Sequence, residues 1–136
     1  MVTLLDWAWA NRMGCRREAG EMYKLANKYM AESDALMVRG RERWGKGEKN
    51  HDQSLTISVE NDLSMAVGDR WIAAADFART QSEQLWAHAA RTKAVGDELW
   101  TEIVLHVHGN IMLTWEWVEE KSDYRCRLST GEVFEP

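Results

Sequence analysis

The feature that most constrains this chain is a size alternation that repeats every seven residues along two long, proline-free segments. In the first, Cys15, Met22, Tyr29 and Leu36 share one heptad position, and Ala19, Ala26, Ser33 and Gly40 share the position four residues on. In the second, Trp71, Leu85 and Leu99 are spaced with Ala78 and Thr92 between them, and Gly68, Ala75, Ser82, Ala89 and Gly96 hold the partner position. An apolar stripe with a period near 3.5 is a helix face made to meet another helix. Small residues along one seam remove the side chains that keep helices apart, so two backbones can approach closely. The pattern predicts two long antiparallel helices, over about 3–44 and about 62–100. The phrases AVGDRW (66–71) and AVGDELW (94–100) recur four heptads apart and express the same periodicity, not a duplicated domain.

Between the helices, GKGEKNHDQ (45–53) is polar and glycine-containing, which is loop chemistry. The next stretch, SLTISVE (54–60), alternates Leu55, Ile57 and Val59 with Thr56, Ser58 and Glu60, and predicts a strand. The competing reading starts the second helix near Gln53, because Ile57 fits the 14-residue series of the second segment.

From Thr101 onward the same alternation predicts a β-meander over 101–134. Gly109-Asn110 is a turn signal between two alternating runs. A hairpin there pairs Val107 with Ile111, Leu105 with Leu113 and Ile103 with Trp115. A second turn near Glu120-Lys121 pairs Trp117 with Tyr124, Trp115 with Cys126 and Leu113 with Leu128. Both registers put the apolar residues on one face, which must lie on the helices. A fourth strand comes from 54–60 or from Gly131 to Glu135. The opposite face carries Glu102, His106, Glu116, Arg125 and Arg127 and points to water.

Composition narrows the function classes. The net charge of −5 offers no basic field for nucleic acid. No apolar run is long enough for a membrane span, and the N-terminus lacks a basic leader and an apolar signal core. Cys15 and Cys126 are far apart and belong to no CxxC or Cys/His cluster, which suits two reduced thiols in a cytoplasmic protein. No cofactor or metal motif is present. Nucleophile elbows, phosphate-binding glycine loops and calcium-loop spacings are absent. Glu18-Glu21 and Glu32-Asp34 do not reproduce the EExxE and ExxD clusters of helical pyrophosphatases. The basic run at 39–46 reads as charge placed at a helix C-terminus, where the helix dipole favours it.

Two groups of residues are left as candidates. Arg125, Arg127 and His106, with Glu102 and Glu116, form a charged sheet face that could hold a nucleotide-like anion at a subunit boundary. His106 and His108 are the pair on which a metal-dependent enzyme would have to be built. The bland reading of the whole face is cross-strand ion pairing on a wet sheet. The second group is the surplus of large apolar side chains: Trp7, Trp9, Trp86 and Trp100, with Met30 and Met37. Such residues mark a core or an interface.

The reading is therefore a single α+β domain: two long antiparallel helices packed on a small, three- or four-stranded antiparallel sheet, in a homodimer or higher oligomer. The leading function is non-enzymatic. It is that of a small accessory factor or inhibitor, of the kind a phage or mobile element encodes, that occupies another protein's surface.

Overall fold

The computed structural model describes residues 2–53 and 59–136, with side chains over 2–47 and 62–136. It contains two long helices that pack together, α1 (Leu4–Gln53) and α2 (Val59–His108). A three-stranded antiparallel sheet follows: β1 (Leu113–Val118), β2 (Asp123–Leu128) and β3 (Val133–Phe134), in the order β1-β2-β3. A single 3-10 turn, Glu119–Lys121, joins β1 to β2. The chain divides into two compact units, one of Met1–Gly20 with Ala89–Pro136 and one of Glu21–His88.

Helix α1 starts at a reciprocal cap. Thr3 Oγ1 accepts from the Asp6 backbone N–H at 3.1 Å, and the Asp6 carboxylate accepts from the Thr3 N–H at 3.2 Å and its hydroxyl at 2.8 Å. The hydroxyl contact, more than the backbone one, holds the Asp6 carboxyl below its usual range.

In the 21–88 unit the helices run antiparallel through the predicted small seam. Ala26, Ser33, Gly40, Gly68, Ala75 and Ser82 are all buried. The approach is close enough for side-chain hydroxyls to reach the opposite backbone. Ser33 Oγ donates to the Ala75 carbonyl and Ser82 Oγ to the Ala26 carbonyl, each at 2.7 Å. A Cβ placed on Gly68 would lie 2.7 Å from the Trp44 backbone nitrogen and 2.8 Å from the Gly40 oxygen. Glycine is used here because no side chain fits between the two backbones. The large seam residues Met22, Tyr29, Leu36, Trp71 and Leu85 flank this line half-buried.

In the other unit Ala19, Ala89 and Gly96 continue the same rule, and a Cβ on Gly96 would come within 2.8 Å of the Cys15 Cβ. Here the bulky residues are covered. Leu5, Ala8, Trp9, Trp100, Val104, Cys126, Leu128 and Phe134 form one buried cluster. Trp100 meets Trp9 edge-on at 5.0 Å and Phe134 edge-on at 4.8 Å, the geometry ring quadrupoles prefer. The Trp9 indole N–H donates to the Glu135 carbonyl at 2.7 Å, tying the C-terminal segment to α1.

Three expectations are corrected. Residues 45–53 are helical, not a loop. Gly45 and Gly47 each weaken a helix by only about 1 kcal/mol, and with no proline the hydrogen-bond ladder is never broken. Residues 101–108 are not a strand but the last two turns of α2. Ile103, Leu105 and Val107 alternate, yet Trp100, Ile103 and Val104 also stand at helical spacing, and burial of Trp100 and Val104 favours the helix over local β-propensity. The pairing of 103–107 with 111–115 is therefore not formed. Gly109 still ends an element, but as a helix cap: at φ +74° its N–H donates to the Leu105 carbonyl at 2.8 Å. The expected strand over 54–60 falls at 54–58 outside the described residues, and Val59 and Glu60 are helical.

The β1–β2 register is the predicted one: Leu113 faces Leu128, Trp115 faces Cys126 and Trp117 faces Tyr124. The segment from Gly131 to Glu135 supplies β3, in which Phe134 pairs with Cys126.

Close packing makes two glycines behave oppositely. Gly68→Ala is expected to lower stability by about 1–3 kcal/mol by forcing the helices apart. Gly20→Ala meets nothing within 4 Å and is expected to raise stability by about 0.5–1 kcal/mol. Urea unfolding followed by far-UV circular dichroism reads both signs. A stabilised Gly68→Ala protein would contradict the close approach.

Candidate protein-binding surface

The alternation of β1 and β2 sorts their side chains by face. Leu113, Trp115 and Trp117 of β1 and Tyr124, Cys126 and Leu128 of β2 share one face by register. Only one end of that face is covered. Cys126 and Leu128 are buried in the core, whereas Trp115 is 40%, Trp117 54% and Tyr124 44% exposed. The result is an aromatic surface beside the core, on the sheet face where the sequence predicts only interior residues.

These rings are held in place. Trp117 and Tyr124 meet edge-on at 5.1 Å. Trp115 stacks on Trp9 at 6.1 Å with planes 25° apart. The Arg12 guanidinium lies 4.5 Å from the Trp115 ring centre and 4.9 Å from that of Trp9. Arg12 is itself locked, its Nε donating to Asp97 at 2.7 Å. Its Nη1 is buried without a hydrogen-bond partner. Burial pulls the Arg12 pKa down and the Asp97 charge pulls it back up, so the group stays cationic. Arg16 reaches Asp123, at the start of β2, through Nη2 at 2.9 Å and Nε at 3.3 Å. This two-point contact fixes a guanidinium more firmly than a single bond. Helix α1 positions both arginines one turn apart, and each is neutralised by an aspartate.

The sequence-based candidates disperse. Glu116, Arg125 and Arg127 come together on the opposite sheet face, with Arg127 Nε donating to Glu116 at 2.8 Å and Arg125 Nη1 to Glu135 at 3.2 Å. These are exposed ion pairs, the first across β1 and β2 and the second to the residue after β3, of the sort that contribute at most about 1 kcal/mol each. Glu102 and His106 stand on the exposed side of α2, not on a strand. His106 and His108 are two residues apart on a helix and so project to opposite sides, which removes the shared strand face a chelating pair would need. His108 Nε2 comes within 2.9 Å of the Glu132 carboxylate, without hydrogen-bond alignment. Among the described residues no three His, Cys, Asp or Glu side chains are grouped to hold a metal ion. Of the tryptophans and methionines singled out, Trp9 and Trp100 are interior, Trp7 and Trp86 are exposed, and Met30 and Met37 are half-buried.

Sequence reasoning passed over Arg12, Arg16, Asp97 and Asp123, because their pairing is made between segments some 85 and 107 residues apart. The available signal was Arg12 itself: it occupies a seam position otherwise held by Leu5, Ala19, Ala26 and Ser33. A charge on a buried seam must have a partner.

No family model, curated protein or solved structure matches the chain. Among the described residues, no helix is long and apolar enough to cross a membrane.

The buried thiol beneath this surface reports on its integrity. Burial pushes the Cys126 thiol pKa up, opposed by the Trp100 indole N–H and the Arg12 charge. A thiol-reactive probe in native buffer is expected to label half-buried Cys15 first and Cys126 only at the rate of unfolding. Rapid native labelling of Cys126 would show that the sheet does not seal the core.

Proposed function

We propose that this protein is a non-enzymatic binding protein that acts by covering a surface of another protein with its Trp115, Trp117 and Tyr124 face. The observation that carries the reading is this preordered aromatic surface, with its arginines already neutralised. Tryptophan, tyrosine and arginine dominate the energetics of protein interfaces. Rings fixed before contact lose little entropy when they bind. Such a protein works as an accessory factor or inhibitor, and a phage-encoded origin suits a small chain whose equipment is a contact surface. Two free thiols suit the reducing cytoplasm.

The nucleotide-binding alternative is less well supported. The arginines beside the aromatics, Arg12 and Arg16, are committed to Asp97 and Asp123, and those on the other face, Arg125 and Arg127, to Glu135 and Glu116. A phosphate would have to compete with a carboxylate at each of them, although Arg12 Nη1 and Arg125 Nε are left without a hydrogen-bond partner.

The test compares capture of host proteins by the wild type, by Trp117→Ala/Tyr124→Ala and by Glu116→Ala/Arg127→Ala, with helicity checked in each. The aromatic pair is expected to lose a bound partner by roughly thirtyfold or more, and the ion-pair variant to stay within about threefold. Undiminished capture by the aromatic variant would refute the proposal. So would a nucleotide or metal retained by the wild type in native mass spectrometry, together with capture of no partner.

A further inference from the structure

The sheet is open along one side, and its hydrogen-bond pattern identifies the groups that stand there. The Ser129 N–H donates to the Met112 carbonyl at 3.0 Å, so Met112 turns its backbone toward the β2 side. Backbone direction alternates along a strand, so Thr114, Glu116 and Val118 also turn toward β2, opposite Arg127, Arg125 and Asp123. The far side of β2 agrees. The Leu128 N–H donates to the Glu132 carbonyl at 2.9 Å and Cys126 pairs with Phe134, so these two residues face β3 while Arg127 and Arg125 face β1. The N–H and C=O of Leu113, Trp115 and Trp117 are left pointing outward from the edge of β1. Among the described residues no hydrogen bond reaches them.

The two edges of the sheet are finished differently. Strand β3 is two residues long, the next carbonyl, that of Glu135, accepts from the Trp9 indole, and Pro136 follows. A short strand and a proline close an edge to other chains. Strand β1 has neither device. It is six residues long, pairs with β2 one-to-one without a bulge, and contains no proline or lysine. Thr114, Trp115 and Trp117 are exposed along it. The two tryptophans that present exposed rings therefore also present free backbone groups.

We infer that an extended segment of the partner adds to β1 as a fourth strand. This rests on the binding surface proposed above and specifies how that surface is engaged. An antiparallel segment satisfies the free groups of Leu113, Trp115 and Trp117 in hydrogen-bonded pairs, the β-augmentation mode of peptide recognition. Its residues at those levels project on the aromatic face and are apolar, because they lie against the side chains of Leu113, Trp115 and Trp117. Its residue opposite Glu116 projects on the other face and is basic. Glu116 is the only charge of β1, Arg127 takes just one of its oxygens, Oε1, and Glu119 and Glu120 follow at the strand's end.

The experiment uses the full chain, isotope-labelled for amide NMR, and a blocked peptide, Thr-Val-Lys-Val-Thr-Val-Thr. Bound antiparallel, the peptide sets its valines opposite Trp117, Trp115 and Leu113 and its lysine opposite Glu116. In the free protein the amides of Leu113, Trp115 and Trp117 are expected to exchange fast with solvent and those of Thr114, Glu116 and Val118 slowly. The peptide is expected to bind at about 1 mM or tighter and to slow the first set, with near-saturation giving roughly tenfold. Methylating the valine nitrogens, which face β1, is expected to weaken binding about tenfold or more. Methylating the nitrogens of the lysine and the central threonine, which face away, is expected to leave it within about threefold. Slow exchange of the outward amides in the free protein, no binding up to about 5 mM, or equal binding of the two methylated peptides would each overturn the inference. Protection that appears without peptide and grows with protein concentration would make the occupant a second copy and overturn it as well. The capture experiment with Trp117→Ala/Tyr124→Ala reads the rings alone. Loss of the partner there, beside a peptide that does not bind, removes strand addition and leaves the surface reading standing.

Discussion

The structure depends on how closely α1 and α2 approach. In both units small residues line the contact, and in the 21–88 unit the approach is tight enough for serine hydroxyls to donate directly to carbonyls of the opposite helix. Close approach maximises dispersion contact between backbones and excludes water from their polar groups. It has a necessary corollary. If the seam is made of small side chains, the large ones are displaced to its margins and must find cover elsewhere.

The two units meet that need differently. In the unit containing the sheet, Trp9 and Trp100 are roofed by Cys126, Leu128 and Phe134, and the C-terminal segment is tied down through the Trp9 indole. The sheet covers only part of its own apolar face, and the uncovered end is where Trp115, Trp117 and Tyr124 are exposed beside neutralised arginines. In the 21–88 unit no large side chain among the described residues is fully covered. The proposed contact to another protein arises from the same constraint.

Much of this was legible in the residues. Every position named as a small seam residue is buried, and the β1–β2 register is the one read from alternation. Both patterns are periodic and span several turns or several pairs, so no single residue can mislead. The stretch 101–108 misled because short β-branched alternation and helical spacing coincide there. Gly109-Asn110 carries the same ambiguity, since a glycine with positive φ serves a hairpin turn and a helix C-terminus equally well. The charged-face candidates were half legible. Glu116, Arg125 and Arg127 do share a strand face, while His106 and Glu102 left it when their segment became helical.

By itself, then, the sequence determined the two helix faces, their close antiparallel contact within each unit, and the pairing of β1 with β2. These follow from repeating local patterns that act over neighbouring turns and strands. Tertiary structure alone decided where α2 ends, because that depends on burying Trp100 and Val104 under residues far along the chain. It also decided which part of an apolar sheet face is covered and which is exposed. Alternation assigns a side chain to a face, but how far a helix reaches beneath that face is a property of packing in three dimensions.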